Sequence, residues 1–279
     1  MLALALLVSA CTGTDRVELD AREPTSRYHS PRSDKSAERA HLPIEKYIPS
    51  SDEIFDLEKA RIIAIEECMK ERGVADFHLP DPVHPPNLTE RRYGLSDLDE
   101  AARFGYEFPE AVTASKRAER RLGEAEQKVL GSDGDPKGCV GIGTAKITGS
   151  ALRATASSPT AVKIQRDTWL KSAKDARVRA KTLDWSKCMK VKGFILRTPL
   201  ESPKAGTSKH EERRMATSSV ECSATVKLSD VWFEVESELQ NVAISKDAVR
   251  LEAEKRELQS QLANADSVVK LTGRTGGES

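Results

Sequence analysis

What this sequence has little of narrows it first. Aromatic residues make up 5% of 279 and apolar residues 38%, so a core has to be assembled from stripes on amphipathic segments rather than from solid apolar blocks. There is no net charge, with 44 Lys and Arg against 44 Asp and Glu. The chain therefore lacks the positive excess with which a nucleic-acid binder neutralises phosphates, and no nucleic-acid partner is expected. Beyond the N-terminus no apolar run approaches the roughly 20 residues of a bilayer-spanning helix. If a membrane matters, the N-terminus makes the connection. The apolar-polar alternation of half-buried strands is scarce as well, and a mainly α fold class is expected.

Familiar catalytic signatures are equally thin. Five histidines, His29, His41, His78, His84 and His210, fall in segments that read as loop or spacer, and none accompanies a nucleophile motif. Carboxylates are too numerous to single out an acid and base pair. Gly138, Gly141 and Gly143 follow no apolar strand and precede no Gly-Lys-Ser/Thr, so they do not read as a phosphate cradle. Cys68-Met69 and Cys188-Met189 offer soft donors, but adjacent helix positions face different ways and a disulfide would consume the thiolates. His78 and His84, with Asp76 and Asp81, match no familiar zinc spacing. No metal and no cofactor is expected, and a non-catalytic role is preferred over an enzymatic one.

What is present begins at the N-terminus. An uncharged apolar run, Leu2 to Val8, leads into Val8-Ser9-Ala10-Cys11 and then turns polar. This is similar to a lipobox, in which the cysteine is acylated and the chain cut just before it. No Lys or Arg precedes the run, as a secretory signal requires, so the natural start is expected upstream. Residues 1–10 read as a signal-peptide remnant, with the lipobox at 8–11, and Cys11 as the lipid attachment site. Residues 11–51, rich in Ser, Pro and charge without a period, read as a flexible spacer.

From Ser51 the pattern becomes helical. Ser51 or Asp52 caps a helix carrying Ile54, Leu57, Ile62, Ile65 and Met69, which stops at Gly73. Leu79 to Pro86 lacks the backbone donors for helix or central strand and must be an extended loop. A short helix over 96–102, a charged one over 109–130 and one from Cys139 toward Leu152 follow. Two more occupy 160–174 and 176–192, where Trp169, Leu183, Trp185 and Met189 supply apolar bulk. After a loop over 198–208 come a helix with Cys222 and a long one over 229–271. Residues 52–245 read as one helical domain, and 246–279 as an extension and tail that project or pair elsewhere.

Four cysteines remain beyond Cys11: Cys68, Cys139, Cys188 and Cys222. In an exported chain two disulfides are the default, with three pairings open. Cys68-Met69-Lys70-Glu71-Arg72-Gly73 echoes Cys188-Met189-Lys190-Val191-Lys192-Gly193, which points to two halves of similar construction. Cys68 with Cys139 and Cys188 with Cys222 is preferred because it links helices adjacent in sequence.

Glu67-Cys68-Met69, Arg92-Tyr93-Gly94, Gly105-Tyr106, Gly138-Cys139-Val140-Gly141, Trp185-Ser186-Lys187-Cys188-Met189 and Val231-Trp232-Phe233 lie across residues 58–245. In these scattered motifs the chain resembles a group of actinobacterial secreted lipoproteins of uncharacterised function. The resemblance implies export and paired cysteines and assigns no activity. In this sequence the small Ile142-Gly143-Thr144 after Gly141 is expected to loosen the helix there.

Two surface features complete the reading. Tyr93, Phe104, Tyr106 and Phe108 form the densest aromatic group, read as a small core locking the proline loop or as a ligand groove. Basic runs at Lys116-Arg117, Arg120-Arg121 and Arg177, Arg179, Lys181 read as solvated faces or as contacts to anionic lipids or wall polymers. The expected function is that of a lipoprotein on the outer face of the cell membrane, binding an envelope protein or wall polymer. An envelope hydrolase and an assembly factor acting through the C-terminal helix are the alternatives.

Overall fold

Leu228, Trp232, Glu236 and Gln240 follow one another at four-residue steps, and all four are buried. That stripe belongs to a helix of 48 residues, Leu228–Thr275, against which most of the other helices pack. The computed structural model describes residues 41–85, 91–107, 122–156, 158–201 and 203–275. Among them eight α-helices appear in chain order: α1 (Ser51–Glu71), α2 (Leu98–Phe104), α3 (Glu124–Leu130), α4 (Cys139–Thr148), α5 (Pro159–Ser172), α6 (Ala176–Val191), α7 (Lys209–Val226) and α8 (Leu228–Thr275). The mainly α expectation holds, and no named strand occurs among the described residues. The helix expected over 109–130 is described only at its end, as α3; Cys11, Phe108, Lys116, Arg117, Arg120 and Arg121 lie outside the described residues.

Local chemistry sets the helix ends. The Ser50 hydroxyl accepts from the Glu53 amide at 3.2 Å while the Glu53 carboxylate accepts from the Ser50 amide at 2.7 Å, a reciprocal cap that starts α1 one residue before the expected position. At its other end Gly73 takes φ +89° and the Val74 amide reaches back to the Met69 carbonyl at 2.9 Å. α6 ends the same way, with Gly193 at φ +90° and Phe194 reaching Met189 at 2.9 Å. The sequence echo is thus a shared helix terminator, which left-handed glycine makes possible.

Both terminators carry a disulfide on their last turns. Cys68 is bonded to Cys139 and Cys188 to Cys222, with Cα separations of 5.5 and 5.8 Å, as the preferred pairing has it. The partners differ in placement. Cys139 opens α4, which runs back along α1, whereas Cys222 lies near the end of α7, where Cys188 and Cys222 advance together with Trp185 and Ser219. The likeness between halves stops at the terminator.

Three expectations are corrected here. Residues 41–50 are not part of a spacer: Leu42 is buried, Ile44 and Tyr47 are buried against Ile164 and Leu251, and the Ile44 amide donates to the buried Gln240 side chain at 3.0 Å. Gly143 does not loosen α4. A Cβ there would lie 2.6 Å from Ile65 Cγ1 and 3.2 Å from the Arg61 carbonyl oxygen, so its missing side chain is what brings α1 and α4 together. Finally, the second half of α8 does not project. Leu258, Ala265 and Val268 pack against Leu57, Ala60, Ala64 and Ile147 of α1 and α4. A break at Asp247, φ −107° and ψ 16°, separates the two halves; Ser245 just before it returns its hydroxyl to the Asn241 carbonyl at 2.9 Å, a bond that bends helices.

Candidate functional site

The proline loop lies along α1, because its prolines cannot donate into a helix or sheet and its polar groups find side chains instead. The Leu79 amide donates to Glu66 Oε1 at 2.8 Å, and the Ser51 hydroxyl donates to the Pro85 carbonyl at 2.7 Å. His84 stacks on Phe55 with ring centroids 3.9 Å apart and lies 3.4 Å from Asp52. Between loop and helix runs an open trough of about 530 Å³. Leu57, itself a core residue, forms the floor; Ile54 and Ile62 flank it, Pro80, Pro82, Pro85 and Val83 make one wall, and Thr155 and Ala156 close the far side.

Two features give the trough a polar character. Arg61 donates from Nε and Nη2 to both Glu58 oxygens, at 2.8 and 2.6 Å. That bond holds the guanidinium above its ordinary pKa, with the Glu58 and Asp133 charges adding to it against desolvation. Ala156 adopts φ +53°, a left-handed conformation that side chains disfavour. Its amide donates to the buried Gln261 Oε1 at 3.0 Å, so α8 fixes the strained corner of the trough. Strain of this kind gathers at ligand-binding walls.

Among the described residues, Tyr93 and Tyr106 of the expected aromatic groove belong to separate clusters, and Phe108 lies outside those residues. Tyr93 stacks on Trp232 at 5.3 Å, in the cluster built by α6, α7 and α8, while Tyr106 packs with Leu95, Ala101, Ala216 and Val220 between α2 and α7. Phe104 lies on α2 under the Arg103 guanidinium at 5.2 Å. None of these residues lines the trough, because the proline loop turns to α1 for its contacts and leaves the aromatics to cover other helices. Burial pushes the Tyr106 phenol up to about 12; burial and the neighbouring Glu236 carboxylate raise Tyr93 as well.

The strongest polar assembly is internal. Arg92 donates from Nε to Glu236 Oε2 at 2.9 Å and from Nη2 to Oε1, while Tyr93 and Gln240 donate to the same carboxylate at 2.8 and 3.0 Å. Arg92 also reaches the Gln165 carbonyl at 2.6 Å, and Trp169 Nε1 donates to the Arg92 carbonyl at 3.2 Å. The carboxylate is fully buried and saturated with donors, which suits a clamp between the Arg92 segment, α5 and α8 rather than a proton-transfer group. Sequence reading overlooked it, although Glu236 and Gln240 continue the four-residue steps of Leu228 and Trp232.

His78 lies 3.6 Å from Glu66 and His84 beside Asp52 and Phe55, so the two do not converge. Among the described residues no three His, Cys, Asp or Glu side chains form a metal-binding group. Arg177 forks onto Glu238 at 2.7 and 3.0 Å, while Arg179, exposed, and Lys181, half-buried, form no ion pair among the described residues.

No family model matches this chain, and no curated protein or solved structure does either.

Proposed function

We propose that this chain is an extracytoplasmic lipoprotein, anchored through Cys11 to the outer face of the cell membrane, whose helical domain binds an envelope component without chemistry of its own. The compartment reading rests on the two disulfides, which persist where thiols are not kept reduced, and on the lipobox-like Val8-Ser9-Ala10-Cys11.

The binding reading rests on one observation, the apolar trough with a rigid proline wall and a single forked ion pair. Apolar walls with a few placed polar groups are the usual make-up of ligand sites. Here the prolines fix the wall before a ligand arrives, which lowers the entropy lost on binding. A segment of an envelope protein or a wall polymer with apolar substituents suits such a surface. An assembly role through the second half of α8 has less in its favour, since Leu258, Ala265 and Val268 already serve this molecule's own core.

The test is site-specific photo-crosslinking in cells of the source organism, with the crosslinker at Val83 on the trough wall and, as control, at exposed Val249 on α8. The proposal expects a discrete envelope adduct from Val83 that Val249 does not give. Identical adducts from both positions would remove the trough from consideration.

A further inference from the structure

Charge is distributed unevenly over this neutral chain. Residues 159–197, covering α5, α6 and the turn after them, hold eleven Lys and Arg against three Asp, a net charge of +8, so the remainder carries −8. Much of this charge is not neutralised locally. Lys163, Arg166, Arg177, Lys187, Lys192 and Arg197 have carboxylate partners. Lys171, Lys174, Arg179, Lys181 and Lys190 form no ion pair among the described residues.

The same segment exposes aliphatic side chains. On α6, Arg179, Leu183, Lys187 and Val191 follow at four-residue steps and therefore share one face, and all four are exposed. Val191 is 90% exposed, and Ile195, just past the glycine turn, 87%. α5 repeats the pattern with Val162, Arg166 and Leu170, all exposed, and exposed Lys174 follows in the turn after it. Asp184 is the single acidic residue of α6, and it is engaged by Lys187 at 3.2 Å.

We infer that the outer face of α6, with Val191 and Ile195 at its tip, docks on an anionic lipid bilayer. Cationic side chains reach lipid phosphates while their aliphatic stems and neighbours enter the headgroup boundary. The exposed aliphatics select the bilayer over a soluble polyanion, which would reward the charges alone. Each basic residue near an anionic membrane surface is worth about a fivefold gain in binding. The inference goes beyond the lipoprotein reading and depends on it only for which membrane is met; the contact itself is independent of acylation at Cys11.

The experiment is vesicle co-sedimentation of the full chain carrying Cys11→Ser, using phosphatidylcholine vesicles with and without phosphatidylglycerol. The uncharged Leu2 to Val8 run contributes alike to both vesicle types, so the increment from phosphatidylglycerol isolates the basic face. We expect that increment to fall at least tenfold in Lys187→Glu/Lys190→Glu and severalfold in Val191→Asn/Ile195→Asn. Melting temperatures should fall only slightly, because all four side chains are exposed and the Lys187–Asp184 pair lies on the surface. Ile195→Trp should shift its emission to shorter wavelength on the anionic vesicles alone. Equal binding to both vesicle types overturns the inference. So does a loss caused by the charge reversals with no effect of the Asn pair and no emission shift, which would mark a polyanion site instead. Because the protein carries no acyl group in this assay, either result is independent of whether Cys11 is lipidated in the cell.

Discussion

Arg92 and Glu236, 144 residues apart in sequence, meet as a forked ion pair whose carboxylate is fully buried. Removing one partner leaves an uncompensated charge inside the protein, which costs about 3–5 kcal/mol. Arg92→Met should therefore lower stability by that amount in chemical denaturation. Adding Glu236→Leu should restore part of the loss, since two apolar side chains leave no charge to desolvate. A double variant as unstable as the sum of the single ones would contradict this account.

The disulfides close loops of 71 and 34 residues. Chain-entropy reasoning gives each about 4 kcal/mol at 25 °C. Peptide mapping without reduction should yield Cys68 with Cys139 and Cys188 with Cys222, and reduction should lower the melting temperature sharply. Crossed peptides would contradict the fold as well as the pairing.

At Gly143 the α1 backbone is too near for a side chain, with Ile65 N 3.1 Å from the position of a Cβ. Gly143→Ala should destabilise by about 1–3 kcal/mol despite the better helix propensity of alanine. A stabilised variant would mean that the two helices stand farther apart.

Ala156 presents the opposite case. Its φ of +53° is one that glycine adopts freely, so Ala156→Gly should be neutral or stabilising. The same change at the buried helical Ala161 should cost about 1 kcal/mol or more. Thermal melts of the two variants make the comparison.

Tyr106 links stability to alkaline pH. Its folded pKa of about 12 exceeds the value near 10 of an unfolded tyrosine. The stabilisation is therefore complete below about pH 10 and fades as pH rises toward 12. Tyr106→Phe should reduce the slope of that part of a stability profile and leave the share that Tyr93 contributes, and phenolate absorbance should show the corresponding late ionisation.

Much of the fold could be read from residue spacing. Capping serines and glycine stops gave helix positions to within a few residues, because those ends are fixed by atoms close in sequence. The preferred cysteine pairing also needed only the order of the helices. The site was less legible. Tyr93, Tyr106 and Phe104 are near one another in the chain but cover different helices, and which helix each one covers is a long-range choice. The trough needs Leu57, Val83 and Ala156 together, which no local pattern announces. The packing of the second half of α8 was missed for a similar reason: its thin apolar stripe of Leu258, Ala265 and Val268 matches Leu57, Ala60 and Ala64 on α1 and Ile147 on α4, and only tertiary contact reveals that match.

The export and anchoring of the chain stand at the centre of this account, and mass spectrometry of the protein from its native membranes, with and without reduction, tests them most directly. The account predicts a mature N-terminus at an acylated Cys11 and a mass that rises by four hydrogen atoms on reduction, two for each disulfide. An uncleaved chain with an unmodified Cys11 and no disulfide, five free thiols in all, would contradict it.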